Sequence, residues 1–169
     1  RRRGVRHLVT AGPADRAHLA PAMSRAPSAS TLAAAALLGL ATGMRSLLPL
    51  AILSTRHARP WGLRVLLLPL AATELVADKL PGTGSRLAPA PLAFRIVAGG
   101  LGAAWLTRSR SRAPLILAGV AGALAGALLG FRARARLPSA TRTPDLPWAV
   151  LEDLSAAALA GTAVRLSSA

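Results

Sequence analysis

The sequence predicts an all-α integral membrane protein, a helical bundle of about five apolar segments. Three observations carry this expectation. The 169 residues are 53% hydrophobic, with a mean hydropathy of +0.46. Residues 113–131, APLILAGVAGALAGALLGF, contain 19 positions without a charge. At about 1.5 Å per residue, a helix of that length nearly covers the roughly 30 Å hydrocarbon core. The arginines fall in short blocks between apolar runs, as in Arg108, Arg110 and Arg112, or Arg132, Arg134 and Arg136. A buried helix of a soluble protein is the competing reading, but such helices are seldom so long and apolar on every face.

Taken in order, residues 1–22 read as an Arg-rich extension preceding Met23, upstream of or additional to a single helical domain over 23–169. The first apolar segment spans residues 31–53 and is interrupted by Arg45. The second covers 63–77, the third 92–106 with Arg95 inside it, the fourth 113–131 and the fifth 146–166. Trp61, Trp105 and Trp148 fall near segment ends, where interfacial tryptophans belong. Segments two and three are short and flank a Pro/Gly-rich loop, so one of them could be re-entrant. Five spans would place Ser28 and Ser168 on opposite faces.

Two short motifs recur. Gly39, Gly43 and Arg45 form G-x3-G-x-R, repeated at Gly126, Gly130 and Arg132; P-x-A-x2-E ends at Glu74 and again at Glu152. With one extra span between the copies, they would lie antiparallel as an inverted repeat, a plan that puts sites at the repeat interface. Chance similarity in an Ala/Gly/Arg-rich chain is the alternative. From Met23 on, the expected loops carry seven basic residues on each side, so the positive-inside rule assigns no orientation.

Of six acidic residues, Glu74, Asp78, Glu152 and Asp153 lie in apolar runs. Carboxylates at bilayer depth are costly and usually paired or functional. The candidate cluster is Arg45, Glu74, Asp78, Lys79, Arg95, Glu152 and Asp153, with Arg45 and Arg95 expected to supply counter-charges for Glu74 and Glu152. Such charges either lock helices together or line a path for an ion, proton or small anion. Gly39, Gly43, Gly122, Gly126 and Gly130 have the spacing that permits close helix packing.

The net charge of +15 would suit nucleic acid, but the chain is only 3% aromatic and its basic blocks flank apolar runs. Anionic lipid headgroups are the expected partners of these blocks, with no nucleic acid and a homo-oligomer left open. With no cysteine, thiol catalysis and thiolate metal sites are excluded. No metal-ligand spacing, nucleophile turn or phosphate loop is present in the sequence, so neither an enzyme nor a cofactor is expected.

Three strings, G-M-R-S-L-L-P (Gly43, Arg45, Pro49), E-L-V-A-D-K-L-P (Glu74, Asp78, Lys79, Pro81) and Arg95 with Gly99, together with Glu152-Asp153, resemble the bacterial membrane-protein family catalogued as domain of unknown function 4126. The match covers roughly residues 32–164. Gly84-Ser85 and Ile96 depart from the pattern of many relatives and suggest a divergent subgroup. The resemblance implies a small multi-pass protein of the bacterial inner membrane, without an assigned substrate. Two functions are therefore expected: a small transporter or channel-like unit, or a non-catalytic membrane scaffold or lipid-interacting protein whose charges are structural.

Overall fold

The structure, a computed structural model, describes residues 26–56, 61–77, 87–106 and 111–168. Among these it is all-helical, with six helices: α1 (Ala29–Met44), α2 (Leu48–Arg56), α3 (Trp61–Ala77), α4 (Pro89–Leu106), α5 (Ala113–Thr141) and α6 (Asp145–Leu166). Two of them, α4 and α5, are long and apolar enough to cross a membrane; α1 is a shorter apolar helix. Residues 1–22 of the expected extension, and Asp78, Lys79 and Pro81, lie outside the described residues.

Helix α1 is the centre of the bundle. Its start is set by Ser28, whose hydroxyl accepts the Thr31 N–H at 3.2 Å, a side-chain cap for an otherwise orphaned amide. Glycines let its neighbours approach at backbone distance. Gly39 abuts the Gly119 carbonyl, Gly43 that of Ala123, and Gly122 and Gly126 the carbonyls of Ala36 and Leu40, leaving no room for a Cβ. The expected packing role of Gly39, Gly43, Gly122 and Gly126 is met at this α1–α5 contact, while Gly130 is buried further along α5. Gly119, not singled out from the sequence, also packs against Gly99 and Ala103 of α4.

These contacts give the directions of the helices. Ala36 and Leu40 meet Gly122 and Gly126 in the same order, so α1 and α5 are parallel. Thr42 lies by Gly99 and Leu38 by Gly102, so α4 is antiparallel to α1. Leu50 of α2 returns to Gly102 beside Leu38, and Leu53 joins the core formed with Leu38, Leu106 and Leu115. The chain therefore reverses after α1. Helix α3 climbs back along α2, packing Leu67 and Ala71 on Ala51. At the far end of the bundle, Ala160, Ala163 and Val164 of α6 share the core with Ala34 and Ala35 of α1.

Two expectations are corrected here. Residues 31–53 are not one segment but a helical hairpin, because Arg45 takes an extended conformation (φ −137°, ψ 116°) that ends α1. Pro49 then sits in the first turn of α2, where its missing N–H costs no helical bond. Among the described residues the helix directions then alternate from α1 to α6, and the start of α1 lies beside the end of α6. The inverted relation between the motif copies is also absent: both G-x3-G-x-R helices run the same way, while the Glu74 helix is parallel and the Glu152 helix antiparallel to its motif partner.

Candidate functional site

The reversal between α1 and α2 leaves carbonyls free at the end of one helix and amides free at the start of the next. Charged side chains from other helices take both sets. The Glu74 carboxylate accepts the Ser46 N–H at 2.7 Å and the Leu47 N–H at 2.8 Å, placing negative charge at the start of α2. Arg95, buried, donates from Nη1 to the carbonyls of Gly43 at 2.7 Å and Met44 at 3.2 Å, placing positive charge at the end of α1. Both match the sign of the helix macrodipole. Arg64 does the same at the other end of α2, donating from Nε to the Ser54 carbonyl at 2.9 Å. Glu74 and Arg64 thus hold the short α2 at its two ends, and both come from α3.

Arg45, in the turn itself, is fully buried and points to α6. Its Nε is paired with Asp153, and its Nη2 lies 3.8 Å from Glu152. On the far side of Glu152, Arg134 of α5 approaches to 3.9 Å through Nη1. Arg134 is in turn paired with Asp145, its Nε donating at 3.1 Å. The result is a ladder of alternating charge, with side-chain exposure falling from 51% at Asp145 through 20% at Arg134 and 6% at Glu152 to 0% at Arg45.

A cavity of about 220 Å³ lies against this ladder. Its apolar wall includes Met44, Leu129, Leu137, Trp148 and Leu151, and Arg134, Glu152 and Ser155 supply its polar groups. The Trp148 indole N–H donates to Thr143 Oγ1 at 2.8 Å, which fixes the ring on the wall.

The candidate charges therefore separate into two sets. Arg45, Glu152 and Asp153 come together on the ladder, with Glu152 in range of Arg45 as expected. Glu74 accepts from backbone amides and Arg95 donates to backbone carbonyls, both at helix ends. Arg64, Arg134 and Asp145 were not singled out from the sequence. A signal for Arg134 exists: α5 continues to Thr141, so the basic block following the apolar run is helical, and Arg134 from that block reaches Asp145 at the start of α6. Among the described residues there is no group of three or more acidic or histidine side chains that could hold a metal ion.

Comparison with known proteins finds no similar family model, curated protein or solved structure.

Proposed function

We propose that the chain is a multi-pass helical protein of the bacterial inner membrane and acts as a small transporter or channel-like unit. In this reading ions or protons move along the ladder Asp145–Arg134–Glu152–Arg45. The observation that carries it is the ladder's graded entry from an exposed carboxylate to a fully buried guanidinium, beside a cavity. Paired charges leading inward through an apolar bundle mark polar pathways in membrane proteins. The discontinuous helix pair with charged groups at its freed ends also fits a transporter.

Support for the membrane setting comes from what α4 and α5 leave outside. Only 39% and 33% of their most apolar windows are buried, the reverse of a soluble core helix. Phe94, Val97 and Leu101 on α4, and Leu117, Leu124, Leu128 and Phe131 on α5, face outward. Arg132 and Arg136, exposed on α5 just past its apolar run, suit anionic lipid headgroups in this setting. We read the chain as non-enzymatic and without nucleic-acid partners.

A second reading, a membrane scaffold with structural charges, is favoured by Glu74 and Arg95, which are engaged on helix ends. Flux in reconstituted vesicles after a pH jump separates the two. Glu152→Gln, which keeps shape and hydrogen bonding but cannot carry charge, should abolish flux while the protein stays folded. Absence of flux in the parent across protons and common ions, or normal flux in Glu152→Gln, would leave the scaffold.

A further inference from the structure

The cavity beside the ladder runs lengthwise between two helices, lined by α5 from Leu129 to Leu137 and by α6 from Trp148 to Ser155. Leu129 and Leu151 of its wall are exposed, so it is a groove open to the surroundings of the bundle. From Leu129 to Leu137 a helix rises about 12 Å, much of one leaflet of the roughly 30 Å hydrocarbon core. One end of this groove is basic. Residues 132–145 contain Arg132, Arg134, Arg136 and Arg142 but a single acid, Asp145, which is paired with Arg134. Arg132 and Arg136 are exposed and one turn apart on α5. Arg136 also follows Ala133 by one turn and Leu129 by two, which stacks it on their side of the helix, at the rim of the groove. Trp148 stands at the same end with its N–H on Thr143 and its ring on the wall, the posture of an interfacial tryptophan.

We propose that the groove holds one acyl chain of an anionic phospholipid, whose phosphate sits at Arg136 and Arg132. This names a lipid partner for the membrane setting proposed above and rests on that setting, but not on ion movement along the ladder. A volume of about 220 Å³ accepts a hydrocarbon chain but not a helix, which is about 10 Å across with its side chains. The guanidinium fork matches phosphate oxygens. A zwitterionic lipid would bring its own cation beside the arginines, so the site favours net negative headgroups.

The test is native mass spectrometry of the full chain released from detergent micelles carrying equal amounts of dioleoyl phosphatidylglycerol and dioleoyl phosphatidylcholine. One phosphatidylglycerol should remain bound, favoured about tenfold over phosphatidylcholine, the scale of two arginine contacts at a membrane surface. Replacing both exposed arginines, Arg132→Gln with Arg136→Gln, should cut that preference to about twofold or less. Ala133→Phe fills the groove and keeps every arginine, and it should lower retention of the lipid about tenfold by excluding the chain. If Ala133→Phe does not fold, Ser155→Leu narrows the groove from α6 and should give the same loss. Equal retention of the two lipids, a preference unchanged by the double arginine variant, or retention unchanged in a filled groove would overturn the proposal. Displacement by glycerophosphoglycerol, the headgroup without its chains, would reduce the site to phosphate on arginine and overturn it as well. Release of the chain from cell membranes by alkaline carbonate would remove the membrane setting and this site with it. A carbonate-resistant chain that fails the lipid measurements would lose the site and keep the setting.

Discussion

Glu74, near the end of α3, accepts the backbone N–H of Ser46 at 2.7 Å, in the turn where α1 gives way to α2. A second bond from Leu47 makes the carboxylate a two-point clamp on the first amides of α2. Glu74→Gln keeps one acceptor oxygen and presents an NH2 group to the other amide, so the clamp loses one bond and its charge. Loss of about 2 kcal/mol is expected, the scale of a charge-assisted hydrogen bond plus a helix cap. Detergent thermal unfolding measures it, and an unchanged midpoint would show that the hairpin does not depend on this clamp.

The pair of Arg45, fully buried, and Asp153, partly buried, carries a different expectation. Breaking such a pair costs about 3–5 kcal/mol, and Glu152 at 3.8 Å still faces Arg45 when Asp153 is removed. Arg45→Met and Asp153→Leu should each lower stability by that order, whereas the double variant should recover much of the loss. A double-mutant cycle reads this coupling directly. Additive losses would mean that Arg45 and Asp153 do not act as a pair.

Glycine substitutions distinguish close helix approach from mere composition. At Gly39 or Gly126 a Cβ meets backbone of the facing helix, which cannot move aside as a side chain could. Ala at either position should destabilise by about 1–3 kcal/mol or more. Gly161, with open space around its Cβ position, should instead accept Ala with a gain of about 0.5–1 kcal/mol. Equal effects at Gly126 and Gly161 would contradict the α1–α5 contact.

In the membrane setting, the alternating helix directions place Ser28 and Ser168 on one side. Cysteines at Ser28 and Ser168, both exposed, should therefore label with an impermeant thiol reagent from the same face, in intact cells or in inverted vesicles but not both. Labelling from opposite faces would restore the five-span arrangement.

Much of the candidate site was legible from the cost of placing charge in apolar sequence. Arg45, Glu74, Arg95, Glu152 and Asp153 are all engaged in the described contacts. The approach of Arg45 to Glu152 was legible, but the backbone partners of Glu74 and Arg95 were not. A sequence read as charges suggests salt bridges, but Glu74 and Arg95 meet backbone groups that become available only because a helix stops at Met44. Gly119 escaped notice because its partners, Gly39, Gly99 and Ala103, belong to two other helices.

By itself the sequence determined helical structure, the apolar runs, the small-residue spacing and which charges would need partners, because these follow from local propensity and from the energetics of burying charge. The direction of each helix was decided only in three dimensions. An arginine between two apolar runs is compatible with a continuous helix or a reversal, and the choice here depends on Glu74 and Arg95, 29 and 50 positions beyond Arg45. Those two side chains satisfy the backbone groups that a reversal exposes. That one turn changed the parity of the bundle, made the two G-x3-G-x-R helices parallel, and set Arg45 at the inner end of the ladder.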